Sequence, residues 1–142
     1  MLTLLASGAR TVTAGATAAV PEALAIALAK AKCAVYVLDV TAAASDVGDT
    51  LDVYIQSSVD GTTWDDFIHF TQVLGNGGAK KFRAAHNSII TPTTALGPEA
   101  DGTLAAGVKQ GPLGSQFRIK YVIVDADADA SFTFSVKCQP YL

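Results

Sequence analysis

The stretch TLDVYIQSSVDGTTW, residues 50–64, decides the fold class. In its first half apolar and polar side chains alternate, so that Leu51, Val53 and Ile55 share one face of an extended chain. The same alternation recurs in SFTFSVKCQ, residues 131–139. A period of two is typical of a half-buried antiparallel strand. The two stretches therefore predict two strands of an antiparallel sheet.

A hairpin corner is predicted directly after the first of these strands. Asp60-Gly61 separates it from a second apolar run that begins near Trp64. Asp-Gly between two β runs indicates a turn, because Gly tolerates the positive φ that a tight turn needs. We expect Asp60 and Gly61 to be structural turn residues, and Trp64 to pack on the domain.

Two further segments, CAVYVLDVT (33–41) and QFRIKYVIV (116–124), are rich in β-branched and aromatic residues and predict more central strands. Together these patterns indicate an all-β chain of seven to nine antiparallel strands with one long crossover. Such an inventory fits a β-sandwich or a small barrel, with a jelly-roll-like topology as one possibility. The strand order does not follow from the sequence.

Residues 22–32 fit two structures. Their Ala, Leu and Glu residues favour a helix, and Pro21 suits its first turn. Leu24, Ile26 and Leu28, however, also alternate as they would in a strand. Both structures stay open at this point.

A second hairpin is predicted in FIHFTQVLGNGGAKKFRAAH, residues 67–86, with its turn at Asn76-Gly77. One bulged residue after the turn would align the apolar side chains of its two strands. These are Ile68, Phe70 and Leu74 on the first strand and Phe82 and Ala84 on the second. In this register His69 and His86 point to opposite faces, so that they cannot share a metal.

Length and charge exclude several classes of protein. The 142 residues fit one domain, which can bury a core without disulfides or a metal. A net charge of −3 with 16% charged residues provides no basic field for nucleic acid. Lys30 and Lys32 make the most apolar segment too polar for a membrane span. We therefore expect a soluble chain, made in the cytoplasm, with no nucleic-acid or membrane partner.

No catalytic signature is visible, so we expect no enzymatic activity and no cofactor. A GxSxG motif, a phosphate-binding glycine loop and a Cys/His metal pattern are all missing from the sequence. Cys33 and Cys138 read as small buried hydrophobic residues, although both end predicted strands and could come close enough to form a bridge.

Asp125, Asp127 and Asp129 form the one acidic constellation, and carboxylates at this spacing can hold Ca²⁺. An EF-hand would need Gly and Glu where Ala130 and Val136 stand. We predict a solvated turn without a metal, so that chelators leave the melting temperature unchanged.

Two extended segments are predicted beside the β domain. Residues 1–20 look like an arm outside the core, and residues 88–116 look like a long loop with one short strand near GTLAAGV (102–108). Both carry more apolar side chains than free loops need, which predicts contacts with other subunits or with a capsid. The predicted interface residues are Leu2, Leu4, Leu5, Ile89, Ile90, Leu96 and Leu104. Deleting residues 1–16 should then leave a folded domain.

Two stretches resemble small virion structural proteins of tailed bacteriophages. They are LDVTAAASDVGDTLDVYIQSSVDGTTWDDFIHFTQVLGNGGAKKF and FRIKYVIVDADADASFTFSVKC. The resemblance covers roughly residues 36–87 and 116–138. It lies in strand and turn patterns, and it transfers no catalytic residue.

The resemblance implies a decoration, or cement, protein that binds the major capsid protein on the capsid exterior. A homotrimer would suit a three-fold site of an icosahedral shell. Two alternatives remain. A phage neck or tail component would assemble as a six- or twelve-membered ring, and a carbohydrate-binding module would use Tyr36, Tyr54 or Trp64 as a sugar platform.

Overall fold

The computed structural model describes residues 1–11, 15–90 and 99–142, which form two antiparallel sheets packed as a sandwich. In chain order the elements are β1 (Leu2–Arg10), β2 (Ala16–Ala19), α1 (Glu22–Lys30), β3 (Cys33–Ala42), β4 (Thr50–Ser58), β5 (Asp65–His69), β6 (Val73–Leu74), β7 (Lys80–Asn87), β8 (Gly107–Val108), β9 (Gln116–Val124) and β10 (Phe132–Tyr141). The first sheet has the order β1-β10-β3-β7. The second has the order β2-β9-β4-β5-β8, and β6 also pairs with β4.

The predicted all-β sandwich is confirmed, whereas the barrel alternative is wrong because each sheet keeps open edges. The described residues contain ten strands rather than seven to nine. Two of the ten, β1 and β2, lie in the segment predicted to be an arm.

The core lies between the two sheets, and the alternating side chains of the predicted strands supply much of it. Leu51 and Ile55 on β4 are fully buried, as are Phe134 and Val136 on β10. Aromatic rings then join the sheets edge to face. Tyr36 of β3 lies 5.7 Å from Phe67 of β5, and Tyr121 of β9 lies 5.5 Å from Phe134.

The prediction of an N-terminal arm is wrong. β1 pairs with β10 and β2 pairs with β9, so this segment adds one strand to each sheet. Leu4 is only 4% exposed within the core. The Arg10 guanidinium donates to the Phe134 carbonyl at 2.8 Å and stacks 4.5 Å from that ring. Small residues and two register shifts in β1 weaken its periodicity, which explains why the sequence pattern concealed it.

Residues 22–30 are helical rather than extended. The Pro21 carbonyl accepts the N–H groups of Leu24 and Ala25, and Ala25 and Leu28 are buried. Leu24 and Leu28 both pack on the core, and four-residue spacing places them on one helical face. Among the described residues, no helix is long and apolar enough to cross a membrane.

The predicted pairing of the second hairpin is wrong, although its turn is confirmed. Asn76 has a φ of 58°, and the Gly77 N–H donates to the Leu74 carbonyl at 3.3 Å. The strands on either side join different sheets, since β5 pairs with β4 and β8 whereas β7 pairs with β3. Ile68 therefore lies opposite Ile55, and Phe82 lies opposite Leu38. A turn reverses the chain, but it does not select the sheet that each arm joins.

Candidate functional site

The two ends of the sandwich differ in chemistry. At one end, residues 43–49, 75–79 and 125–131 connect strands of the two sheets. We call this the acidic end, because three carboxylates of residues 125–131 lie there. At the opposite end lie both chain termini, α1, the loop 59–64 and residues 88–90. We call this the apolar end, for the exposed side chains that it carries.

Three segments end side by side at the apolar end. The Ser88 N–H donates to the Lys32 carbonyl at 2.9 Å, and the Lys32 N–H donates to the Tyr141 carbonyl at 2.9 Å. Ile89 is 70% exposed and Leu142 is 82% exposed. Of the ten large apolar side chains that are exposed among the described residues, seven lie at this end: Met1, Ile26, Val59, Ile89, Ile90, Tyr141 and Leu142. The other three, Val47, Leu74 and Val124, lie at the acidic end.

The predicted interface residues are only partly brought together. Leu4 is buried in the core, and Leu2, Leu5 and Leu104 are half-buried. Ile89 and Ile90 are exposed at the apolar end, whereas Leu96 lies outside the described residues. Of the described predicted residues, Ile89 and Ile90 are therefore the two that present an exposed side chain to a partner.

The three aromatic residues of the sugar-platform alternative are buried or half-buried. Tyr36 is 1% exposed and Tyr54 is 7% exposed. Trp64 is half-buried, with the Arg118 guanidinium 4.3 Å above its ring, as its predicted packing on the domain requires. A cleft of about 520 Å³ separates Trp64 from Ile26 of α1. Both residues line this cleft, which lies at the apolar end.

The corner at Asp60-Gly61 is structural. Gly61 has a φ of +77°, which confirms its predicted turn conformation. The Asp60 carboxylate accepts the N–H groups of Thr63 at 2.7 Å and Thr62 at 2.8 Å. These hydrogen bonds, of which the one from Thr63 has the largest effect, lower the pKa of the Asp60 carboxyl far below its usual value. The carboxylate is thereby occupied in holding the loop between β4 and β5.

The buried carboxylate of Asp66 holds part of the predicted long loop, residues 88–116, against the second sheet. Asp66 is fully buried, and its Oδ2 accepts the backbone N–H groups of Gly102, Thr103 and Leu104 at 2.8, 2.9 and 3.1 Å. Its Oδ1 accepts from the Gln56 side-chain amide at 2.6 Å. Residues 99–109 therefore follow β5 closely, and the predicted short strand of this segment is confirmed as β8.

The two histidines occupy separate sites. His69 Nε2 lies 2.9 Å from Asp52 Oδ1, and the imidazole stacks on Tyr54 at 4.1 Å. His86 is buried with its ring 5.1 Å from Phe67. Burial lowers the pKa of His86, and its Nε2 has no hydrogen-bond partner within the described parts of the chain. The two histidines therefore contact different residues and do not share a site.

The two cysteines are free thiols. Cys138 is fully buried, and burial raises the pKa of its thiol to about 12. Cys33 is half-buried and pairs with Tyr141, whereas Cys138 pairs with Tyr36. This register places the two residues three positions apart along the sheet, so the possible bridge is not formed.

Four carboxylates converge at the acidic end. One carboxylate oxygen from each residue lies within 4.8 Å of the oxygens of the other three. Two of the residues come from the β3–β4 connection and two from the β9–β10 connection, and we call the set the acidic cluster. It consists of Asp46, Asp49, Asp127 and Asp129. Asp125 stays outside the cluster, because its Oδ1 accepts the backbone N–H groups of residues 127–129.

Two carboxyl groups of the acidic cluster have raised pKa values because other carboxyl groups lie beside them. The Asp129 carboxylate raises the pKa of Asp46. A hydrogen bond with the Asp129 carboxyl raises the pKa of Asp127 to about 6. Carboxylate oxygens are the ligands that hard divalent cations prefer. Among the described residues, the acidic cluster is the one group of acidic, His or Cys side chains close enough to hold a metal.

The sequence pattern revealed only half of this cluster. Asp127 and Asp129 stand out in DADADA, but Asp46 and Asp49 lie some 80 residues earlier, on either side of Gly48. Both pairs follow predicted strands. The two pairs converge because the strands that they follow end at the same end of the sandwich. Predicting this would require the strand order, which the sequence does not give.

No protein-family model, curated protein or solved structure matches this chain significantly.

Proposed function

We propose that this chain is a non-enzymatic virion structural protein that binds and stabilises the assembled capsid of a tailed bacteriophage. The observation that carries the proposal is the concentration of exposed apolar side chains at the apolar end. Contiguous exposed apolar surface on a soluble domain marks an interaction site. The strand and turn patterns that resemble small phage virion proteins supply the partner.

The energetics favour a docking role for this end. Ile89 and Ile90 are 70% and 46% exposed, and they follow β7 after Ser88. Fully burying an aliphatic side chain contributes roughly 1.5–3 kcal/mol. Because Ser88 is hydrogen-bonded to Lys32, less order must be gained at residue 89 on binding. A ligand that binds the assembled shell, and not its free subunits, stabilises the shell by mass action.

The proposed partner is the major capsid protein, on the exterior of the capsid. We place the chain there as a homotrimer at three-fold sites, since closed symmetric oligomers are the norm. A neck or tail component built on the same sandwich would form a six- or twelve-membered ring instead. The mass of the isolated oligomer distinguishes the trimer from the ring.

A capsid-binding assay with a matched pair of variants tests the proposal. Purified capsids that lack the protein are mixed with the wild type, with an Ile89→Ser/Ile90→Ser double variant, or with Val47→Ser. Val47 is 75% exposed but lies at the acidic end, so it controls for the loss of an exposed apolar side chain. We expect the double variant to bind at least about tenfold more weakly, a loss of about 1.4 kcal/mol, and Val47→Ser to bind normally. Failure of the wild type to bind any capsid would refute the function, and normal binding by the double variant would refute the docking end.

A further inference from the structure

The acidic cluster contains a fully buried carboxylate with an unused oxygen. Asp49 is 0% exposed, and its Oδ1 accepts the Ala126 N–H at 2.9 Å. Within the described residues its Oδ2 has no hydrogen-bond partner. Buried polar atoms are nearly always partnered, and an unpaired buried oxygen on a charged group is costly. A ligand that supplies positive charge at this oxygen would remove the cost.

The ion pairs of the described residues do not involve the acidic cluster. Lysine and arginine make ion pairs elsewhere in the described chain, with Asp39, Asp65 and Asp101. None of the ion pairs found among the described residues includes a member of the acidic cluster. Four carboxylates therefore share a small volume, and none of them forms an ion pair with a cationic side chain of the described residues.

Two glycines allow the cluster to assemble. A Cβ on Gly48 would lie 2.8 Å from the Cβ of Ala126, and a Cβ on Gly75 would lie 1.8 Å from the Asp46 carbonyl oxygen. The Gly75 N–H also donates to the Asp49 carbonyl at 2.8 Å. Close backbone approach of three connections thus holds the like-charged side chains together, although their repulsion opposes it.

We propose that the acidic cluster is a divalent-cation site that binds one Ca²⁺ per chain and joins the β3–β4 connection to the β9–β10 connection. An all-oxygen donor set suits hard cations, whereas Zn²⁺ sites in proteins usually include His or Cys ligands. Mg²⁺ usually keeps several waters and takes one or two carboxylates, whereas Ca²⁺ accepts six to eight oxygens in flexible geometry. Four carboxylates on two surface connections therefore favour Ca²⁺.

This proposed site is independent of the proposed capsid function, and it differs from the expectation of a metal-free solvated turn. That expectation considered only Asp125, Asp127 and Asp129, which lie together in the sequence. In the folded chain the Asp125 carboxylate accepts backbone N–H groups of its own turn. Asp46 and the buried Asp49 instead lie beside Asp127 and Asp129.

Calcium titration of the full chain tests the site directly. Protein stripped of metal with EDTA and then freed of chelator is titrated with CaCl₂ in a calorimeter, and its melting is followed with and without about 1 mM CaCl₂, the weak end of known Ca²⁺ sites. We expect one Ca²⁺ per chain and a higher melting temperature with Ca²⁺. We also expect at least tenfold weaker binding of MgCl₂. The absence of both heat and a melting shift would overturn the proposal, and equal affinity for Mg²⁺ would overturn the choice of Ca²⁺.

Two aspartate variants and a matched control locate the binding. Asp127→Asn removes an exposed member of the cluster, so the fold should persist while Ca²⁺ affinity falls at least tenfold. Asp39→Asn makes the same chemical change on β3, where the carboxylate faces Lys81 at 3.5 Å, and should leave Ca²⁺ affinity unchanged. Asp49→Asn should likewise weaken Ca²⁺ binding, and Asp127→Asn decides the question if that variant does not fold. Wild-type affinity in Asp127→Asn, or an equal loss in Asp39→Asn, would contradict the assignment.

Discussion

The Asp49 carboxylate accepts a hydrogen bond from the backbone N–H of Ala126 at 2.9 Å, across 77 residues of sequence. This contact joins the β3–β4 connection to the β9–β10 connection at the acidic end. Asp49 also receives the Gly75 N–H on its backbone carbonyl, so a third connection meets the same residue. The acidic end is consequently one packed unit, and a change in one connection should be felt in the others.

Gly75→Ala should destabilise the acidic end. The added Cβ would lie 1.8 Å from the Asp46 carbonyl oxygen, so the backbone must move. We expect a loss of about 2 kcal/mol in the free energy of unfolding, measured by urea denaturation. Gly8→Ala is the control, because its nearest neighbour would be 3.8 Å away, and it should change stability by less than about 0.5 kcal/mol. Equal stability of the two variants would show that the approach at Gly75 is not tight.

Asp66→Asn should loosen the segment that follows residue 99. The substitution replaces a buried carboxylate that accepts three successive backbone N–H groups, which leaves donors without a full set of acceptors. We expect a loss of about 3 kcal/mol in unfolding free energy, together with faster amide exchange at Gly102, Thr103 and Leu104. Asp65→Asn is the matched neighbour. Its carboxylate accepts one N–H, from Ala100, and pairs with Lys109 at a half-buried position, so its effect should be smaller.

His86 should make stability depend on pH. Burial lowers the pKa of His86 in the folded chain below its ordinary value of 6.5, so the unfolded chain binds a proton at a pH at which the folded chain does not. The contribution of the neutral ring is therefore fully present above pH 6.5 and is lost as the pH falls below that value.

His86→Leu tests this dependence with a side chain of similar volume that cannot be protonated. Thermal melting between pH 7.5 and pH 5 should show a shallower decline in the variant than in the wild type. An unchanged slope would mean that other groups cause the acid sensitivity. At pH 7 the variant should fold with somewhat lower stability, because Nε2 has no hydrogen-bond partner among the described residues, whereas leucine cannot replace the hydrogen bond between the ring and the Gly111 backbone.

Leu4→Ala tests the correction of the N-terminal arm. Leu4 is 4% exposed and belongs to the core, so the substitution should cost about 3 kcal/mol in unfolding free energy. Ile89→Ala removes a similar side chain that is 70% exposed, and it should be nearly neutral for folding. Deletion of residues 1–10 should remove β1 altogether and uncover the edge of β10. Near-normal stability of the truncated chain would instead support the prediction that this segment is an arm outside the core.

The sequence by itself determined the class and the local elements of this protein. Alternation identified β4 and β10, β-branched runs identified β3 and β9, and Asp60-Gly61 and Asn76-Gly77 marked real turns. These signals could be read because each depends on neighbours within a few residues: the period of side chains along a strand, or the φ that a single residue tolerates.

Only the tertiary structure decided which sheet each strand joins and which loops meet. β6 and β7 flank one turn yet join different sheets, and β1 forms the edge of the first sheet despite its weak pattern. The same choice brings Asp49 against Ala126 and so assembles the acidic cluster. Pairing depends on the burial and the edges that distant segments offer one another, and this information is not contained in any single stretch of the chain.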